Sequence, residues 1–295
     1  MSFHSGFVTL VGRPNVGKST LLNRLVGQKV AIVSDRPQTT RAAIRGVRTT
    51  PDSQIVFLDT PGVHKPRTLL GERTNAVARS ALAEVDTVCV LIEATNPIGP
   101  GDRRVAELAR QVETPRILVV NKTDKASRAA IAQHLARADQ ELGEFDAYVA
   151  LSARTGENVD ALLGELEARL PEGPRYFPDD VVTDQPETFL AAELVREQLL
   201  RVARDELPHS IAVTADTDED ETRDDLLFLK ITVRVERESQ KGIVIGRGGE
   251  VLKAAGTEAR RELEALLGTH VHLEIRVRVD RDWQRRPHAL DRLGF

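Results

Sequence analysis

Short, almost wholly apolar runs alternate along the first half of the chain with longer stretches of helical character. The runs at 7–11, 55–58, 88–92 and 117–120 carry almost nothing but Val, Leu, Ile, Phe, Cys and Thr. Runs of that length without polar alternation predict strands buried on both faces, as in a mostly parallel sheet covered by helices on both sides. Helical stretches begin at Ser19 and end near Leu170. Beyond residue 210 the pattern changes. Residues 227–235 and 271–279 alternate apolar and polar, which predicts strands with a single buried face. Helices are expected over 189–204 and 250–267, and a further strand over 210–214. Between the two patterns lies Pro171-Glu172-Gly173-Pro174, followed by Tyr176-Phe177-Pro178-Asp179-Asp180. Its prolines and its few aliphatics read as a linker. The expected organisation is an α/β domain over 1–172, a linker over 173–188 and an α+β domain over 189–295. A length of 295 residues also fits two domains.

Composition narrows the class. Charged residues make up 29% and hydrophobic ones 41%, enough for two cores. No run approaches the roughly 18 apolar residues of a membrane span, and Met1 to Gly6 lacks a basic-then-apolar leader. The single cysteine, Cys89, lies within an apolar run, so it is expected to be a small core filler with no disulfide partner in the chain. A cytosolic protein is expected. The net charge of −4 hides an asymmetry: residues 226–295 hold fourteen Lys/Arg against ten Asp/Glu, and this +4 leaves −8 for the remainder. The acidic run Asp216-Thr217-Asp218-Glu219-Asp220-Glu221 reads as a solvated loop between strands. The basic end is a weak pointer to nucleic acid.

Candidate chemistry begins directly after the first apolar run. Gly12-Arg13-Pro14-Asn15-Val16-Gly17-Lys18-Ser19 fits G-x-x-x-x-G-K-[ST], a phosphate-cradling loop between strand and helix. Its backbone N–H groups and the helix N-terminus converge on an anion. Lys18 would reach the β/γ-phosphates, the Ser19 hydroxyl would ligate Mg²⁺, and Thr20 completes the segment. The third element, Asp59-Thr60-Pro61-Gly62, ends the second apolar run. Asp59 falls on the metal side and the Gly62 N–H can sense a γ-phosphate. Between these lies Pro37-Gln38-Thr39-Thr40-Arg41, where a threonine can close over the metal; Thr40 is the favoured candidate, with Thr39 next. The run at 117–120 leads into Asn121-Lys122-Thr123-Asp124. Guanine offers an N1–H and an exocyclic amino group, and the Asp124 carboxylate can accept both. Asn121 can bond the base carbonyl and tie loops together, and the Lys122 stem can lie along the ring. Backbone N–H groups at Ser152 and Ala153 are expected near the guanine O6. These spacings select GTP and GDP over adenine nucleotides.

The C-terminal chemistry is a second glycine loop. Gly246-Arg247-Gly248-Gly249 follows a short helical stretch from Gln240 and precedes the helix over 250–267. Glycines let a main chain approach phosphates closely. The expected RNA-contacting set is Lys241, Ile243, Val244, Ile245, Gly246, Arg247, Gly248, Gly249 and Lys253, with the three aliphatics flooring a groove for bases. His270 and His272 share one strand face, but no third ligand has matching spacing, so no metal site is expected there. His64 reads as an exposed loop histidine and not as a water activator.

The first four motifs, in this order, resemble the translation-factor-like class of P-loop GTPases. The glycine loop in its α-β-β-α-α-β framework resembles a type II KH domain, whose G-x-x-G loop clamps single-stranded nucleotides. With the intervening Phe177-Pro178-Asp179-Asp180-Val181-Val182-Thr183-Asp184, the whole chain resembles the Era family of bacterial GTPases. The resemblance implies binding of the single-stranded 3′ end of small-subunit ribosomal RNA, a role in 30S subunit assembly and a peripheral inner-membrane association. A monomer is expected. The chain departs from the family at Gly248, where relatives often carry Lys, and from Ras-like GTPases at Val63, where those carry the Gln that orients the attacking water. Slow intrinsic turnover follows, with Lys18, Thr40, Gly62 and Asn15 as the groups at the chemistry. Relatives with Asn at position 15 are often stimulated by K⁺. The competing readings are a nearly inactive nucleotide-gated RNA binder and a GTPase of the tRNA-modification or double-GTPase kind. The single GTPase pattern and the glycine-loop framework argue against the latter.

Overall fold

The computed structural model describes residues 2–83, 85–202 and 207–295. These residues form two compact units: 1–31, 37–67 and 71–184 make the first, and 32–36, 68–70 and 185–295 the second.

The first unit runs β1 (His4–Gly12), α1 (Lys18–Val26), β2 (Ile44–Thr49), β3 (Ser53–Asp59), α2 (Leu69–Ser80), β4 (Thr87–Glu93), α3 (Pro100–Ala109), β5 (Arg116–Asn121), α4 (Arg128–Leu142), β6 (Ala147–Ala150) and α5 (Val159–Glu167). Its sheet has the order β2-β3-β1-β4-β5-β6, parallel except for β2, which pairs antiparallel with β3. The apolar runs are the central strands: Val8, Leu10, Val88, Val90, Leu118 and Val120 are fully buried. A parallel sheet clothed by helices has no solvated face, so its strands need no polar alternation. All parallel strands end at one edge, and the loops that follow β1, β3 and β5 carry the phosphate, metal and base motifs there. Burial pushes the Cys89 thiol up to about 12, so it is an inert core group as expected.

The linker expected over 173–188 is divided, and most of it packs on the first unit. The buried Gln54 of β3 accepts from the Tyr176 and Phe177 N–H groups and donates to the Phe177 carbonyl. Val47 N–H donates to the Val182 carbonyl at 2.8 Å and Arg45 pairs with Asp184. The free backbone groups of the β2 edge and one buried amide thus hold the segment as far as Asp184.

The second unit follows α6 (Glu187–Val202), α7 (Leu207–Ser210), β7 (Ala212–Thr217), β8 (Leu226–Val235), α8 (Glu238–Ile245), α9 (Glu250–Leu267), β9 (His270–Val279) and α10 (Pro287–Arg292). The end of the helix expected over 189–204 lies outside the described residues. The sheet order is β7-β8-β9, with β7–β8 antiparallel and β8–β9 parallel. Leu227, Leu229, Ile231, Val233 and Val235 of β8 are buried against the helices, as alternation requires. Ile32 joins this core from far upstream, and the Val33 N–H donates to the buried Glu197 carboxylate at 3.0 Å. The chain end is fixed by Trp283, fully buried, whose Nε1–H donates to the Ser210 carbonyl at 3.0 Å.

Candidate nucleotide site and glycine-loop cleft

At the end of β1 the chain turns through Asn15 (φ 65°) and Gly17 (φ 99°), both left-handed, before entering α1. Gly17 is obligatory on a second ground: a β-carbon there would lie 2.3 Å from Asn121 Nδ2. That amide donates to the Val16 carbonyl at 2.8 Å and so ties the base-reading loop to the phosphate loop. Lys18 is buried, and its ammonium donates to the carbonyls of Gly12 and Arg13 at 3.3 and 3.2 Å. Burial lowers its pKa while Asp59 opposes the shift; burial likewise raises Asp59, with Lys18 as the main opposing charge. An arriving phosphate would supply Lys18 with the counter-charge that burial denies it.

Three oxygens meet beside the loop. Ser19 Oγ donates to Asp59 Oδ2 at 2.6 Å, Thr40 Oγ1 donates to the same oxygen at 3.2 Å, and the two hydroxyls are 3.0 Å apart. Asp59 is fully buried, and its Oδ1 has no hydrogen-bond partner among the described residues. This all-oxygen set, with one orphaned carboxylate oxygen, suits a hard cation such as Mg²⁺. Thr40 is the threonine whose hydroxyl joins it.

Gly62 lies against the phosphate loop: a β-carbon on it would sit 2.6 Å from the Pro14 nitrogen. The Val63 N–H donates to the Gly12 carbonyl at 3.2 Å, and its side chain is buried in the sheet–helix core. His64 is half-buried with both ring nitrogens bonded, which corrects the exposed loop histidine expected from sequence.

In the base-reading loop, Asp124 Oδ1 accepts from Ser152 Oγ at 2.7 Å, and Arg154 approaches Oδ2 at 3.7 Å. Lys122 donates to the Asn15 carbonyl at 2.8 Å and pairs with Glu93 at 3.1 Å, which ties its ammonium to the phosphate loop and to the end of β4. Burial alone would raise the Glu93 pKa, but hydrogen bonds from Thr95 and Lys122 outweigh it and hold the carboxyl below its ordinary value.

Three expectations change in detail. Asn121 is spent on tying: besides Val16, its Oδ1 accepts from the N–H groups of Lys122 and Ala153 at 2.7 and 2.9 Å. The N–H groups of Ser152 and Ala153 are not free for a base carbonyl, because Ser152 donates to the Glu157 carbonyl and Ala153 to Asn121. The Arg13 side chain turns away from the phosphate loop to the buried Asp102 at 2.7 Å. These pairings depend on side-chain direction in loops, for which sequence spacing carries no signal.

In the second unit Gly246 (φ 76°), Gly248 (φ 61°) and Gly249 (φ 84°) are all left-handed, and Arg247 projects into solvent at the loop tip. Beside the loop lies a cleft of about 430 Å³ between α9 and β9. Lys253, Thr257 and Arg260 line it from α9, at the spacing of one helix face, with Leu252, Leu273 and Ile275 beneath. Of the three aliphatics expected to floor a groove, only Val244 is withdrawn into the core. Val244 is a core residue and Ile243 is 56% exposed, because the short α8 turns only Val244 inward. His272 lies at the cleft wall, and its ring stacks on Phe228 at 4.4 Å between centroids. Among the described residues no group of three or more His, Cys, Asp or Glu could hold a metal ion.

Comparison with known proteins agrees with this geometry. Residues 7–122 match the family described as 50S ribosome-binding GTPase, and residues 206–284 match the KH domain. GTPase Era of Mycobacterium bovis is 51% identical over 297 residues, covering 99% of both chains. The chain belongs to the Era family of GTPases. GTPase Era of Alkaliphilus metalliredigens is 47% identical over 295 residues, with both chains covered completely. A crystal structure of Era in complex with MgGDPNP and nucleotides 1506–1542 of 16S ribosomal RNA superposes with a TM-score of 0.95, at 39% identity over 99% of each chain. A point variant of Aquifex aeolicus Era bound to GDP·AlF4⁻ gives the same TM-score of 0.95 at 38% identity, again over 99% of each chain. The chain is thus a GTPase of the Era family carrying a KH domain, and its expected α/β-then-KH architecture holds.

Proposed function

We propose that this GTPase is a slow switch that binds the single-stranded 3′ end of 16S ribosomal RNA and acts in 30S subunit assembly. The observation that supports it most is the full-length likeness to Era in complex with MgGDPNP and nucleotides 1506–1542. The phosphate loop over 12–19, with Thr20, would bind the phosphates of GTP or GDP. Asp124 and Lys122 would hold guanine, with Asn121, Ser152 and Ala153 bracing the loop. Mg²⁺ would be held by Ser19, Thr40 and Asp59, and when bound it neutralises charge on the β- and γ-phosphates. Thr60 fixes the metal-side loop by donating to the Leu10 carbonyl at 2.9 Å, and Pro61 and Gly62 would follow it to the γ-phosphate. With the Val63 side chain buried, no polar group at that position orients water, which supports slow turnover. The protein acts as a cytoplasmic monomer, with peripheral membrane contact an expectation from the family.

RNA would be held at the glycine loop over 246–249 and along the cleft, with Lys241, Lys253 and Arg247 as cations. Arg247→Glu is expected to weaken binding of a 3′-end oligonucleotide about tenfold or more and to leave GTP affinity unchanged, because the charge lies on the KH loop. Wild-type affinity should fall as salt rises, since phosphate contacts release counterions. Equal affinity of variant and wild type in a fluorescence titration would refute the RNA assignment.

A K⁺ ion beside the phosphates would add the positive charge that Val63 cannot supply. The supporting feature is Asn15, held left-handed at the nucleotide end of the loop. Single-turnover hydrolysis should run faster in K⁺ than in Na⁺ at equal ionic strength, and Asn15→Ala should abolish the difference. Equal wild-type rates in both salts would leave Asn15 a structural residue.

A further inference from the structure

Val63 leaves the hydrolysis site without its usual polar side chain, and the next residue, His64, is bonded in a way that no phosphate or metal role explains. Its Nε2 lies 2.8 Å from Gln38 Nε2, and its Nδ1 lies 3.0 Å from the Gly62 carbonyl oxygen. A carbonyl only accepts and an amide nitrogen only donates. With hydrogen on Nδ1 the ring donates to the Gly62 carbonyl, and its Nε2 lone pair receives the Gln38 amide.

The ring is a fixed post. The His64 N–H donates to Asn75 Oδ1 at 3.3 Å, and the Asn75 amide donates back to the His64 carbonyl at 2.7 Å. Asn75 is a buried residue of α2, so the backbone of His64 is clamped to a helix. On the other side, Gln38 holds a left-handed backbone (φ 62°), which a non-glycine residue keeps only where contacts hold it. Gln38 lies just ahead of Thr40, and His64 just beyond Gly62. The Gln38–His64 bond is thus a direct side-chain tie between the loop that closes over the metal and the loop that senses the γ-phosphate.

We propose that Gln38 and His64 form a latch that sets the rate of GTP hydrolysis by holding these two loops in one arrangement. The proposal rests on the placement of Thr40 at the metal and Gly62 at the γ-phosphate. Both latch residues are positioning residues: the bonds that define the latch run from one to the other and on to the Gly62 carbonyl. The bond orients the machinery in a site whose water-orienting position is filled by a buried valine.

The test is single-turnover hydrolysis by the full-length protein at saturating GTP, with GDP affinity measured alongside. Gln38→Ala and His64→Ala should each slow hydrolysis about tenfold, the scale on which one side-chain hydrogen bond is felt. GDP affinity should not change, since neither residue belongs to the phosphate loop over 12–19 or the base-reading segment over 121–124. The double variant should be no slower than the slower single variant, because both remove one bond. His64→Gln should recover part of the rate, since its amide can donate to Gly62 and accept from Gln38. Additive slowing in the double variant, a wild-type rate in either alanine variant, or His64→Gln no faster than His64→Ala would each overturn the latch. Thr40→Ala separates the two levels. If its rate matches wild type, the underlying placement of Thr40 fails. If it is slow while Gln38→Ala is not, only the latch fails.

Discussion

Asp124→Asn is expected to transfer the preference of the site from guanine to xanthine nucleotides. The carboxylate is 12% exposed, and Ser152 and Arg154 hold its two oxygens in place. In that orientation it can accept the N1–H and the amino group of guanine together, two charge-assisted bonds. The Asn amide offers one acceptor and one donor, and the donor meets the guanine amino group head on. Xanthine carries a carbonyl there and accepts it. With each charged bond worth about 1.5–3 kcal/mol, GTP affinity should fall by about 3 kcal/mol or more, over a hundredfold. Competition binding of GTP and XTP to the variant measures it. An unchanged preference for GTP would remove Asp124 from the base site.

Gly62→Ala is expected to abolish most hydrolysis while sparing GDP binding. A β-carbon on Gly62 would fall 2.6 Å from the nitrogen and 2.8 Å from the Cα of Pro14, and both are backbone atoms of the phosphate loop. Neither side can yield cheaply. The Val63 N–H is bonded to the Gly12 carbonyl at 3.2 Å, and Thr60 is bonded to Leu10 at 2.9 Å. The loop must therefore lift, carrying the Gly62 N–H away from the γ-phosphate. Loss of one preorganised donor to a developing negative charge costs about 100–1,000-fold in rate. GDP has no γ-phosphate, so its affinity should stay within several-fold of wild type. Single-turnover hydrolysis and GDP dissociation measure the two effects. Wild-type hydrolysis would show that this loop does not face the γ-phosphate.

The chemistry of the nucleotide site was legible in the sequence because it depends on backbone turns and on residue types at fixed spacing. Gly17 must be glycine, Ser19 must follow Lys18, and Asp59 must end a buried strand; each constraint leaves a mark in the linear order. Thr39 and Thr40 were both candidates for the metal side, and the hydroxyl that meets Asp59 and Ser19 is that of Thr40. What did not show was the direction of loop side chains. Nothing local marks Arg13 for Asp102 or Gln38 for His64; the loop-tying role of Asn121 was read, but not that its amide would meet Val16. The edge strand β2 was not read either: its sequence, Ile44-Arg45-Gly46-Val47-Arg48-Thr49, is broken by a glycine and two arginines. Long-range packing was equally hidden. Ile32 is buried with residues of α6 and β8, and Gln54 holds residues 176–177, contacts that no periodicity encodes. In the KH domain, alternation placed the strands, but the short α8 gave too few turns to tell its core residue Val244 from its exposed neighbour Ile243.

The central claim, that guanine nucleotide governs contact with the 3′ end of 16S ribosomal RNA, is tested most directly by crosslinking. The full-length protein would be crosslinked to 30S subunits with GTP, with GDP and without nucleotide, and the joined sites mapped on both partners. The account predicts crosslinks between the 3′ end of the RNA and the segment from Lys241 to Lys253, strongest with GTP and weakened with GDP. Crosslinks absent from the 3′ end, or equal in all three nucleotide states, would contradict it.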